Sequence, residues 1–276
     1  RQLAPKGFAA KPLAPVGGLE RTRMTIVDKD TRSVAYSIGF PISVKRGHPD
    51  YPALLVATSW LGQHRMSGGR LYQRMRELRG LNYGDYAYIE YFPRGMFQFE
   101  PDPNLARSQQ IFQIWIRPVD PATAHFALRL ALYEMDKVVR EGLDQESFER
   151  TRNFVMKYAK LLTKTKSAEL GYAIDSRFYR IPEYVSYLEA GLQKLTREDV
   201  NRAIGKHLGG GNFTIVAVAR NCASLKSRIL EEAPSPMTYN SPKPKELLEE
   251  DKTVSAWKVG LKPENVRIID VDKVFE

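Results

Sequence analysis

The chain has 276 residues, 43% hydrophobic and 11% aromatic, which is enough for one large or two small domains with a core and excludes a disordered chain. Its net charge of +10, from 42 basic and 32 acidic residues, favours anionic partners in general. The basic residues are scattered, with no Lys/Arg block and no recognisable module, so nucleic acid is not an expected partner. No apolar run is long enough to span a membrane. The single cysteine, Cys222, rules out an intrachain disulfide and a cysteine-based zinc site.

Residues 1–20, opening RQLAPKGFAAKPLAPVGG, lack the apolar segment of a signal peptide and read as an exposed linker. Two strands are predicted next, Arg23 to Val27 and Ser33 to Ile42, the second rich in β-branched and aromatic residues. HPDYPALLVATSWLGQH follows as a helix, with Pro49 and Pro52 near its start, where a missing N–H does no harm. A short break, MSGG, leads to a second helix, RLYQRMREL, stopped by Gly80. Asn82 to Phe92, Phe97 to Phe99 and Gln109 to Arg117 have strand character, with a turn at Pro93-Arg94-Gly95 between the first two.

Helices are then predicted over Ala122 to Arg140, from the N-cap Asp144 onward through Phe148, Thr151 and Val155, over Glu169 to Tyr179, Tyr184 to Leu192 and, capped by Thr196, over Arg197 to His207. Gly209-Gly210-Gly211 ends the last of these, and FTIVAVA, Phe213 to Ala219, is a buried strand before a helix from Asn221 to Glu232. From Pro234 the chain is rich in Pro, Ser and charge, and reads as an extended arm over 234–276 with a possible edge strand, Val266 to Val271. This order gives an α+β fold, an antiparallel sheet with helices packed on one face.

Catalytic motifs are mostly absent. The four histidines, His48, His64, His125 and His207, have no partner at metal-binding spacing, HExxH and HxxEH are both missing, and each histidine reads as a surface or cap residue. There is no GxSxG. Cys222 precedes a helix, a place that can lower a thiol pKa, but it has no specific histidine partner. What remains is RMRELRGLNYG, residues 74–84. A reversal at Gly80 can bring Arg76, with its rigid N–H donors, and the Tyr83 phenol to one opening, where they suit a carbonyl oxygen gaining charge or a peptide backbone. The spacing leaves a plainer alternative open, in which Arg76 pairs with a helix carboxylate and Tyr83 is a core-edge tyrosine. Arg74 and Arg79 read as a solvated or partner-facing helix surface.

SGGRLYQRMRELRGLNYG resembles the second, non-zinc-binding half of the M16 metallopeptidases, the insulinase, pitrilysin and mitochondrial processing peptidase group. HPDYPALLVATSWLG, REGLDQESFERTR and LTREDVNRAIGKHL followed by a buried strand extend the likeness over roughly residues 20 to 232. The resemblance implies an M16/LuxS-like fold of ferredoxin-like units, with an inactive peptidase domain over 21–233. It implies that Arg76 and Tyr83 are the substrate-contacting, oxyanion-stabilising pair of the complementary half, and that Gly68 and Gly69 match a glycine segment used in substrate handling, although MSGG is much shorter than that loop. It also implies no metal in this chain, zinc in a homologous HxxEH-bearing half that is fused upstream or separate, and peptide or unfolded protein as substrate. The alternative it carries is a structural or binding subunit with no part in catalysis. The bacterial periplasm or cell envelope is the compartment towards which these features lean. A third class, a basic surface for nucleic acid or anionic membrane, requires binding with steep salt dependence.

Overall fold

The computed structural model of the protein describes residues 14, 16–63, 67–92 and 102–276. The expected turn at Pro93-Arg94-Gly95, the expected strand Phe97 to Phe99, His64 and most of the expected linker lie outside the described residues.

Alternating apolar residues make strands β1 (Arg23–Asp28), β2 (Val34–Ile42), β3 (Asn82–Tyr88), β4 (Gln110–Val119), β5 (Thr214–Ala219) and β6 (Val266–Asp270). They form a single open sheet in the order β3-β4-β2-β5-β1-β6. β2 runs antiparallel to β4 and β5, and β3 antiparallel to β4. β1 runs parallel to both of its neighbours, β5 and β6. The sheet is therefore mixed, antiparallel over four strands and parallel around β1. Strands that run the same way need long crossovers rather than hairpins, and the chain passes from β5 to β6, on the far side of β1, through two helices.

Eight helices of the described residues complete the fold: α1 (Tyr51–Gly62), α2 (Ala124–Glu141), α3 (Gln145–Ala159), α4 (Lys166–Tyr179), α5 (Tyr184–Lys194), α6 (Arg197–Leu208), α7 (Cys222–Leu230) and α8 (Lys245–Ser255). Met24 and Ile26, Tyr36 and Ile38, Ile114 and Ile116, and Ile215 and Ala217 on one sheet face share a core with helix residues such as Leu54, Phe126, Leu128 and Ile204. Ala35, Ser37, Val216 and Val218 on the other face are only half-buried. α1 is buried on nearly every side, so it shows no polar stripe. Caps fall where the sequence puts them. The Asp144 side chain accepts from the Ser147 N–H at 2.7 Å, and Thr196 and Asp199 form a reciprocal capping box.

Two segments depart from expectation. Tyr72–Glu77 is a π-helix rather than an α-helix, with the Leu78 N–H bonded to the Gln73 carbonyl at 3.0 Å. The arm after Pro234 is not extended throughout, because it contains α8. The two departures meet at one set of ion pairs. Arg70 and Arg74 donate to the two oxygens of the fully buried Glu134 of α2, each at 2.7 Å. Arg79, fully buried, donates to Asp251 and Glu250 of α8, each at 2.8 Å. Arg74 also reaches Glu250, Tyr239 donates to Asp251, and Lys243 donates to the Leu78 carbonyl at 2.7 Å. Arg74 and Arg79 are thus internal clamps and not a solvated or partner-facing surface. Their helix turns towards the arm, whose acidic residues neutralise charges that burial would otherwise penalise.

His125 of α2 is buried, and neither of its ring nitrogens has a hydrogen-bond partner among the described residues. Burial, reinforced by Arg129 and Arg228 and opposed by Glu232, lowers its pKa to about 4. The unfolded chain therefore takes up a proton that the folded chain refuses as pH falls from about 6.5 towards 4, and stability drops across that window. We expect His125→Leu to gain about 1–2 kcal/mol over the parent at pH 5 relative to pH 7.5, measured by urea denaturation at both values. Arg79→Met leaves the buried Asp251 without its guanidinium and takes one of two from Glu250, and is expected to cost about 3–5 kcal/mol in the same measurement.

Candidate functional site

Between the inward-turned arginines one points elsewhere. The π-helical segment carries Tyr72 and Arg76 one turn apart. Past it, Gly80 adopts a φ of +65°, and its N–H closes on the Arg76 carbonyl at 2.8 Å. A side chain at that φ is strained, so glycine is what permits the tight exit from helix into strand. β3 then starts at Asn82, and Tyr83, 69% exposed, stands at its mouth.

The guanidinium carbon of Arg76 lies 4.4 Å from the centre of the Tyr83 ring and 4.9 Å from that of Tyr72, and Nη1 donates to the Tyr83 carbonyl at 3.3 Å. Its Nε is 4.0 Å from Glu77, the outer limit of an ion pair. The structure thus brings Arg76 and Tyr83 together at one partly exposed opening and adds Tyr72, which sequence reasoning missed. The signal for it was present, since Tyr72 and Arg76 are four apart and a helix sets such residues face to face. Packing against two π faces holds the guanidinium in a fixed plane, which a long side chain at a surface otherwise lacks. The group presents N–H donors and the phenol one more, and the Glu77 carboxylate beside them is set against the Arg76 guanidinium, so the arrangement suits binding and polarising a carbonyl.

Gly68 and Gly69 stand at the start of the same segment. Gly68 is exposed, with no atom within 4 Å of where a Cβ would sit, and the Gly69 carbonyl accepts from the Gln73 N–H at 2.9 Å. Neither contacts Arg76 or Tyr83 in the described structure, and Gly69 acts as a helix-starting carbonyl.

Asp85, two residues beyond Tyr83 on β3, is buried, and its Oδ1 accepts from the Asn82 amide. Burial pushes its carboxyl up to about 6, against the Asn82 hydrogen bond and the charge of Arg76. Sequence reading passed over it because a lone aspartate in a strand carries no motif.

One cluster has the residue types of a metal site. His48, Asp50 and His207 bring one ligand atom each within 4.8 Å of one another. The two histidines are remote in sequence, which is why spacing rules could not pair them. The chemistry points to an ion-pair hub rather than a metal centre. The buried Asp50 carboxylate receives Arg202 at 2.9 Å, Lys206 at 3.3 Å and His207 at 2.7 Å. Burial pushes the Asp50 carboxyl up, but these three hydrogen bonds win and hold it well below the usual carboxylate range. Its lone pairs are taken, and a dication would arrive beside two cations already paired to it. His48 accepts the Asp50 N–H at 3.0 Å through Nδ1, and burial lowers its pKa. The hub docks α6 onto the start of α1. Cys222 is also structural. It is buried, its thiol donates to the Ala219 carbonyl at 3.3 Å, and burial together with nearby Asp28 pushes it up to about 11, so the helix start does not activate it.

Comparison with known proteins adds the following. Residues 10–155 match the family model described as the peptidase M16 inactive domain. No curated protein matches the chain. Among solved structures, a peptidase M16 inactive domain from Pseudomonas fluorescens is similar with a TM-score of 0.63 at 21% identity, over 79% of this chain and 47% of that one. The inactive peptidase domain of a protein described as a zinc protease, from Bordetella parapertussis, gives 0.52 at 14% identity, over 79% of this chain and 98% of that one. The periplasmic protease PqqL from Escherichia coli gives 0.55 at 13% identity, over 92% of this chain and 26% of that one. The chain thus spans about half the length of the Pseudomonas protein and about a quarter of PqqL. At these identities the structural likenesses show the fold.

The saturated Asp50 carboxylate generates an expectation that a melting curve can check. Adding zinc to the isolated chain is expected to leave its melting temperature unchanged, because a ligand that does not bind the native state cannot shift it.

Proposed function

Because the chain belongs to the peptidase M16 inactive-domain family, we propose that it is the non-catalytic half of an M16-type zinc metallopeptidase, binding peptide substrate opposite a zinc-bearing HxxEH half. The observation that carries this reading is the Tyr72–Arg76–Tyr83 stack, a fixed set of donors at an opening in a chain that lacks HxxEH. Zinc in the partner half supplies the activated water and the Lewis acid. Arg76 and Tyr83 supply what a metal on the far side of a peptide does not, donors to the peptide backbone that strengthen as the scissile carbonyl gains negative charge. Gly68, exposed and open at the head of the same segment, and the buried Gly69 beside it have a weaker part in this reading, with Gly68 as a place where an extended peptide can pass close to backbone. The partner half is homologous and either fused upstream or a separate subunit, the substrate is a peptide or unfolded protein, and the compartment we propose is the bacterial periplasm or cell envelope. Family membership supports the pairing, and likeness to a periplasmic protease supports the compartment.

A second reading rests on one observation. Arg76 is already engaged within the chain, by two rings and the Tyr83 carbonyl. In that case the domain is a purely structural or binding subunit and the stack merely stiffens its surface.

The two readings separate in a reconstituted pair. The isolated chain is expected to show no chelator-sensitive cleavage of peptides. Combined with the zinc-bearing half, Arg76→Ala and Tyr83→Ala are each expected to lower kcat/KM by about 100-fold with melting temperatures unchanged. Equal turnover by the parent and both variants supports the structural subunit instead, and robust proteolysis by the chain alone overturns the first reading.

A further inference from the structure

Two buried acceptor oxygens lie beside the opening without a donor among the described residues, Oδ2 of Asp85 and Oδ1 of Asn82. Their own partner atoms already meet, since the Asn82 amide nitrogen donates to Asp85 Oδ1 and also to the Gly84 carbonyl at 3.0 Å. Buried polar atoms are nearly always satisfied, so two adjacent orphans of the same sign need an explanation. One proton provides it. A protonated Asp85 carboxyl has an O–H on Oδ2 that can donate to Asn82 Oδ1, while Oδ1 goes on accepting from the Asn82 amide. Carboxylic acid and primary amide then match each other donor for acceptor.

The charges around Asp85 agree. On β3, Tyr83, Asp85 and Ala87 alternate onto the face turned towards α1, where Ala87 lies against Gly62. α1 carries no charged residue, and the cross-strand partner of Asp85 is the apolar Ile116 of β4. Arg117 of β4 lies opposite Gly84 and covers the Trp115 and Tyr86 rings. From the π-helical segment, Arg70 and Arg74 are committed to Glu134, and Glu77 is half-exposed beside Arg76. Among the described residues, Arg76 is the cation whose field reaches Asp85, and it lies against tyrosine rings instead of forming an ion pair with the carboxyl.

We propose that Asp85 is held as the neutral acid, paired with Asn82, and that it is a positioning residue for Arg76, because its neutrality leaves the guanidinium to the tyrosines and to substrate. The inference rests on the reading of Arg76 and Tyr83 as a peptide-binding pair. Ionisation of Asp85 would put a bare carboxylate within the field of Arg76, and attraction between the two would draw the guanidinium inward from the opening. Burial sets the sense of the pH dependence. With the carboxyl pushed up to about 6 from 3.8, the folded chain holds a proton that the unfolded chain has lost, so this group's contribution to stability fades as pH rises from about 4 through 6.

The test uses the full chain and has two independent readouts. First, carboxyl NMR of the 13C-aspartate-labelled protein is expected to show Asp85 titrating well above the other aspartates. Titration in the ordinary range near 4 overturns the inference, whatever the substrate experiments give. Second, fluorescently labelled unfolded casein is titrated into the parent, Asp85→Asn and Arg76→Ala. Asp85→Asn reproduces the amide-matching pattern without an ionisable group. We expect parental affinity to fall about tenfold between pH 5 and pH 8 and that of Asp85→Asn to stay level. Equal pH profiles for the two overturn the positioning role. If Arg76→Ala binds casein as the parent does while Asp85 titrates high, the peptide-binding reading fails and with it the role, but the neutral pair stands.

Discussion

The ionic link between the π-helical segment and the acidic residues behind it is the constraint on which the rest of this structure depends. Three arginines, Arg70, Arg74 and Arg79, turn inward onto Glu134, Glu250 and Asp251. Charges taken out of water are tolerated only when paired and hydrogen-bonded, so each clamp obliges a particular element to be present. Glu134 obliges α2 to lie against the segment. Glu250 and Asp251 oblige the C-terminal arm to form a helix there. With the clamps made, Arg76 is left facing the other way, and the opening exists because its neighbours are spoken for.

Much of the fold was legible because its elements rest on local rules. Alternation in VAYSIGFPI and FTIVAVA marks β2 and β5, and Asp144 and Thr196 mark the starts of α3 and α6 by chemistry that acts within one turn. The unpredicted helix α8 has no such signal. KELLEEDKTVS sits in a stretch of prolines and charges, with few apolar positions, of which Leu247 and Val254 are buried. What holds it is an arrangement of carboxylates facing arginines roughly 170 residues away in sequence. Short-range pattern cannot report that. The same holds for the parallel setting of β1, which is decided by where the chain returns and not by the composition of the strand.

The site divides in the same way. Arg76 and Tyr83 could be singled out because a glycine reversal sets a local distance, and the structure brings them to one opening. Tyr72 was one helical turn from discovery. The inward arginines were misjudged because a guanidinium on a helix next to a glycine stop looks solvent-facing until its carboxylate partners are known. Asp50 with His48 and His207 lay beyond reach for a different reason, since the residues that meet there come from both ends of the domain.

The arm that carries α8 grips the back of a short helix whose front bears the Arg76 stack. Back and front belong to one wide π turn, which cannot shift at one side and hold still at the other. The family match ends at residue 155, well before the arm begins. Sequence drift in that distal tail can therefore alter the tilt of the opening while every residue lining it is kept, so relatives with the same visible site need not present it alike.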